Sequence, residues 1–88
     1  MSWTFLTNHA HVLVCLSRDP DLRLRDIATT VGITERAVHR IVGELAADGY
    51  LEVTREGRRN HYRVVTQGKM RHPVESGTSV AALLKIVR

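Results

Sequence analysis

The sequence predicts a mainly helical α+β domain, with a core of three helices, then a β-hairpin, then a C-terminal helix. Three observations carry this reading. Apolar residues recur at helical spacing in successive stretches between Asn8 and Asp48. Two alternating apolar/polar runs then flank the polar segment Glu56-Gly57-Arg58-Arg59. Finally Val80, Leu83, Leu84 and Val87 return to the i, i+3, i+4, i+7 spacing of an amphipathic helix. A chain of 88 residues suits one domain, 1–88, whose core is modest because so short a chain buries only a little over half of its unfolded surface.

Each element has a local cause. Thr7, with apolar Leu6 before it, reads as the N-cap of a helix running from Asn8 to about Ser17, and Pro20 closes the region. Ala10, Val12, Leu13, Val14, Cys15 and Leu16 make this helix apolar on nearly every side. One apolar stripe is enough to rest on a core. A second face therefore requires cover, from the C-terminal segment or from a second subunit. Asp19-Pro20-Asp21 is a turn, and Leu22-Arg23-Leu24 alternates like a short strand. Arg25 to Val31 reads as a short helix stopped by Gly32. Thr34 caps a longer helix, 34–48, with Ala37, Val38, Ile41, Val42 and Leu45 on its inner side and Gly49 at its end. Leu51 and Val53, then Tyr62 and Val64, alternate with polar residues as the two strands of a hairpin. A polar connection from Thr66 to Gly77 leads to a last helix at about 78–87.

The formal net charge is +4, and its distribution says more than the total. Residues 22–49 balance four Arg against four acids, whereas residues 50–66 hold four Arg against two Glu and residues 67–88 hold four Lys/Arg against one Glu. The excess is C-terminal and mostly arginine, whose planar fork of donors suits phosphates and base edges. No apolar run approaches the ~20 residues needed to cross a bilayer. Met1 to Asn8 lack a basic start and a long apolar stretch, so a cytoplasmic protein without a membrane partner is expected. Cys15, the sole cysteine, excludes an intrachain disulfide and reads as an inert core thiol between Val14 and Leu16. His9 and His11 lie two apart on a helix and point in nearly opposite directions, so no metal site is expected. No nucleophile, acid and base are paired and no phosphate-cradling glycine loop occurs, which points away from an enzyme and from a cofactor.

The stretch from Asp26 to Ile41 resembles the helix-turn-helix of bacterial and archaeal regulators, through the spacing Ala28-x3-Gly32-x5-Val38-x2-Ile41. A small Ala28 permits close helix crossing, Gly32 supplies a positive φ for the tight turn, and Ile33, Val38 and Ile41 fix the crossing angle. The run Glu44-Leu45-Ala46-Ala47-Asp48-Gly49-Tyr50-Leu51, followed by Arg55 to Tyr62, resembles the MarR-type and ArsR-type winged-helix regulators. The likeness covers roughly residues 8–66. It implies a winged helix-turn-helix whose second helix, 34–48, enters the major groove of double-stranded DNA. The hairpin tip, 55–60, would then touch the adjacent backbone or minor groove.

The residues for such contacts are present. Glu35, Arg36, His39, Arg40 and Gly43 lie opposite the apolar stripe, and Arg suits guanine in the major groove. Thr34 and the helix N-terminus offer backbone N–H groups to a phosphate. Arg58, Arg59 and Asn60 stand at the hairpin, where Arg fits a narrow minor groove. The sequence therefore predicts a DNA-binding transcriptional regulator acting as a homodimer, with the C-terminal helix as a dimer contact. The alternative is a winged-helix module that binds a protein and never DNA; on that reading Arg36 and Arg40 are a solvated face paired with Glu35 or Glu44. ArsR-type thiolate sensing is not expected, because no paired cysteines stand near the second helix. MarR-type proteins carry longer terminal helices that build a ligand cleft, so a small-molecule effector is not expected either.

Overall fold

A computed structural model describes residues 3–87. Its elements, in chain order, are α1 (Asn8–Arg18), α2 (Leu24–Val31), α3 (Glu35–Ala47), β1 (Leu51–Glu56), β2 (Arg59–Val64) and α4 (Val80–Ile86). Three of the four helices begin at a hydroxyl side chain. Thr7, Thr34 and Ser79 accept from the backbone N–H of Ala10, Ala37 and Ala82, each satisfying a donor the helix itself cannot. α2 lacks this device, since Arg23 stands at its N-cap position without a side-chain hydrogen bond.

Between α2 and α3 the chain turns on Gly32, whose φ of 86° is the left-handed conformation that a Cβ disfavours. Its N–H and that of Ile33 both donate to the carbonyl of Ala28, at 2.8 and 3.1 Å, closing the end of α2. β1 and β2 pair antiparallel from Leu51↔Val64 to Glu56↔Arg59. The two-residue connection Gly57-Arg58 has a positive φ of 63° at its first position, as a type II′ hairpin turn requires.

One core joins every helix to the hairpin. Val12, Leu13 and Leu16 of α1 meet Ile27 and Ala28 of α2 and Val38, Ile41, Val42 and Leu45 of α3. Leu51, Tyr62 and Val80 close it from the hairpin and from α4. After the hairpin the chain folds back so that the N–H groups of Val80 and Ala81 donate to the carbonyls of Gly68 and Thr66, which fixes the start of α4. α4 is shorter than the expected 78–87 because its first turn belongs to the Ser79 cap and to the bridge between Lys69 and Ser79.

One expectation is revised. Leu22-Arg23-Leu24 forms no strand; Leu22 sits in a turn closed onto Asp19 and Leu24 opens α2. The single ladder-like bond in this region runs from the Tyr62 N–H to the Pro20 carbonyl, and Pro20 has no N–H to return. The leucine alternation instead reflects two side chains that both pack against the core from a turn and a helix start. The second face of α1 is covered at least partly from within the chain. Val14 and Cys15 are buried, Val87 lies against the same hollow, and the Arg18 guanidinium donates to the Val87 carbonyl. Burial also pushes the Cys15 thiol up from its ordinary value, in keeping with an inert core thiol.

Replacing Gly32 by Ala is expected to destabilise the fold by about 1–2 kcal/mol, the cost of placing an L-residue in the left-handed region. No atom lies within 4 Å of the added Cβ, so the loss reflects backbone strain rather than a clash. Urea unfolding measures it, and an unchanged midpoint would contradict the assignment of this turn.

Candidate nucleic-acid interface

α3 divides its residues cleanly between two environments. Val38, Ile41, Val42 and Leu45 are buried, while Glu35, Arg36, His39, Arg40 and Gly43 are exposed. Arg36, His39, Arg40 and Glu35 border one shallow open depression on the outer face. The Thr34 hydroxyl is committed to the cap, accepting from the Ala37 N–H at 3.0 Å, so it orders the first turn beside these side chains. Gly43 has open space around it, which keeps the face low one turn beyond Arg40.

Arg40 is not free of partners. Its guanidinium is 3.4 Å from both carboxylate oxygens of Glu44, and the Glu44 carboxylate also accepts from His9 of α1 at 2.7 Å. The His9 hydrogen bond first, and the nearby Arg40 charge after it, hold the Glu44 carboxyl below the usual carboxylate range. All three side chains are well exposed, so water screens the pair and its net worth is small. Among the described residues Arg40, and not Arg36, is ion-paired.

The wing residues divide in the same manner. Arg58 lies at the exposed turn of the hairpin. The Arg59 guanidinium turns back and donates to the backbone carbonyl of Asp21, and Asn60 donates to the Tyr62 hydroxyl at 3.3 Å. His61 donates to the Asp21 carboxylate at 2.8 Å, beside the Tyr62–Pro20 backbone bond. Residues 20 and 21 thus hold β2 by three contacts and set how the hairpin leaves the body.

A cleft of about 460 Å3 joins the two groups. Arg23 and Arg25 at the start of α2 face Arg58, Arg59 and Asn60 of the hairpin across it, with Glu35 of α3 and Asp21 as its acids. Four arginines against two carboxylates make this hollow cationic and suited to a phosphate chain. Arg23 and Arg25 are absent from the expected site. Their signal was an Arg-x-Arg pair at a helix start with no hydroxyl cap, legible only once the hairpin is known to fold against that start.

Among the described residues no group of three or more His, Cys, Asp or Glu side chains converges on a point where a metal ion would sit, and no helix is long and apolar enough to cross a membrane.

A capped helix held across a shorter one by a glycine turn, with a basic hairpin beside its outer face, defines a winged helix-turn-helix. The chain belongs to the winged helix-turn-helix DNA-binding family, which matches residues 7–52. Its fold is that of MarR-like regulators. It is similar to the zinc-dependent MarR family transcriptional regulator AdcR in its Zn(II)-bound state, at 26% identity and a TM-score of 0.56 over 74% of this chain and 47% of that one. It is also similar to the PcaV transcriptional regulator from Streptomyces coelicolor in complex with its natural ligand. That match has 25% identity and a TM-score of 0.62, over 93% of this chain and 60% of that one. The chain thus spans about half the length of these regulators. No curated protein sequence matches it.

The His61–Asp21 contact makes the hairpin anchor pH-dependent. The Asp21 hydrogen bond first, with its charge and that of Glu56, raises the His61 pKa above the ordinary 6.5. The protonated form is therefore the one the fold favours. Its contribution is fully present below about pH 6.5 and is lost as pH rises through the raised folded value. Titration of the His61 ring by NMR is expected to give a lower pKa in Asp21→Asn than in the native chain; equal values would refute the contact.

Proposed function

We propose that this chain is a sequence-specific, double-stranded-DNA-binding transcriptional regulator that acts as a homodimer in the cytoplasm and catalyses no reaction. The observation that carries the reading is the outer face of α3, where Arg36, His39 and Arg40 stand exposed while the opposite face is locked into the core. An α-helix fits the major groove, and Arg forks match guanine O6 and N7 there. On this reading Arg36, His39 and Arg40 read bases, and Glu35 selects against mismatched edges. The N-terminus of α3 at Thr34 takes a phosphate. Arg58 enters the adjacent minor groove or meets its backbone, and Arg23, Arg25 and Arg59 line the path of the phosphate chain, with Asn60 beside them. The Arg40–Glu44 pair exchanges for a base contact at little cost, because both side chains are already solvated.

Family likeness and exposed apolar side chains support the homodimer. Trp3 and Phe5, stacked edge to face at 4.9 Å, are 63% and 93% exposed, and Ile86 of α4 is 81% exposed. A two-fold contact that used the C-terminal helix would bury Ile86. Domain limits of 1–88, with core 8–66 and the C-terminal helix as dimer contact, complete the proposal.

Selection of bound duplexes from a random pool is expected to return a pseudo-palindrome with half-sites about one helical turn apart. On the selected duplex, Arg36→Ala or Arg40→Ala should cost about 1–3 kcal/mol and relax preference at single positions. Arg58→Ala should weaken all sequences alike and lower the salt slope by about 1. If the Arg36/Arg40 double variant binds as the native chain does, the protein-binding alternative takes over. Sedimentation at micromolar concentration is expected to show a dimer of the 9.9 kDa chain; a monomer there would remove the two-fold half of the proposal.

A further inference from the structure

A cavity of about 440 Å3 lies between the first turns of α1, the last turns of α3 and residues 70–83, and only Glu44 of its lining, the partner of Arg40, enters the DNA-binding reading. Its floor is apolar, built from Leu13, Leu45, Val80 and Leu83 with Met70 at one side. Its rim is charged, and the balance of charge is the reverse of the chain's. Glu44, Asp48 and Glu75 stand there against a single guanidinium, Arg71, with His9 and His72 between them. Arg71 is already satisfied by Asp48 at 2.6 Å. His9 donates to Glu44 at 2.7 Å, and Arg40 shares that carboxylate from outside the cavity. The His72 ring nitrogen Nδ1 accepts from the Val74 N–H, and among the described residues Glu75 is in no ion pair. In a chain of net charge +4, an apolar hollow with an acidic mouth is a local departure from the general field.

Pockets of this size bind small molecules by an apolar body and a few placed polar groups. An anion would meet three carboxylates at the rim; a cation would meet Glu75 and Glu44 with its charge still partly hydrated. We propose that this cavity is a binding site for a small lipophilic cation, its hydrocarbon body on Leu13, Leu45, Val80 and Leu83 and its ammonium group at Glu75 and Glu44. The site meets the outer face of α3 only through the Arg40–Glu44 pair, and its binding is read on the chain without DNA.

The test uses three probes of one shape and different charge, namely para-tert-butylbenzylamine, the corresponding benzyl alcohol and the corresponding benzoate, titrated calorimetrically into the full chain at neutral pH and low salt. The amine is expected to bind about fivefold or more tighter than the alcohol, the gain of a water-screened charge pair, and the benzoate weakest. Methyl resonances of Met70 and Leu83 should shift with the amine, which locates the site. Glu44→Gln combined with Glu75→Gln, both changes at exposed positions, should abolish the advantage of the amine and leave the alcohol unchanged. Benzoate binding as tight as the amine would overturn the proposal. So would a failure of every probe to move those methyl groups at millimolar concentration. Shifts of the same methyl groups with protein concentration alone would assign the cavity to a second copy instead.

Discussion

Everything the outer surface offers depends on how α2 and α3 cross. Gly32 takes a left-handed φ, Ala28 leaves room at the crossing, and Val38 and Ile41 are buried to 0% and 2% exposure. Those contacts fix the rotation of α3 about its own axis. With the inner row committed, Arg36, His39 and Arg40 have no position left but the outside. A side chain of polar or charged type at Val38 or Ile41 would free that rotation, because a buried polar group without a partner costs far more than a lost surface contact. Specific recognition needs such rigidity, since a recognition helix that rolls by a fraction of a turn presents different atoms to a groove.

The hairpin obeys a weaker version of the same rule. Only Leu51 and Tyr62 of its strands are buried, so packing alone holds it at the base. Polar contacts to Pro20 and Asp21 supply the remaining restraint, and they place Arg58 and Arg59 across a cleft from Arg23 and Arg25. The outcome is a basic surface made by two segments far apart in sequence. Its attraction for a polyanion is salt-dependent and largely indifferent to sequence. On the proposed reading discrimination falls instead to α3, where side chains and not net charge would set the preference. The Arg40–Glu44–His9 chain ties that reading face to α1 through exposed, exchangeable bonds.

Local signals were legible in the sequence to the extent that their causes are local. Thr7 and Thr34 mark helix starts because a hydroxyl accepts a hydrogen bond three residues on, and Gly32 marks a turn because only glycine takes that φ readily. The period of Val38, Ile41, Val42 and Leu45 named both the buried and the exposed face of α3. Alternation failed at Leu22 and Leu24, where a two-residue period arises equally from a turn and a helix start. Contacts that join distant residues left no trace: Asp21 with His61, His9 with Glu44, Arg18 with Val87. The role of Arg23 and Arg25 in the cleft and the acidic cavity both arise from such pairings. Their residues are individually unremarkable, and only the fold brings them together.

The central claim is that one face of α3, together with the hairpin tip, is the surface that meets DNA. An amide nitrogen–proton correlation spectrum, recorded as a selected duplex is added, tests it directly and residue by residue. The account predicts shifts concentrated at Thr34 to Arg40 and at Gly57 to Asn60, with Arg23 and Arg25 following. Shifts confined to α1 and α4, with α3 unmoved, would contradict it.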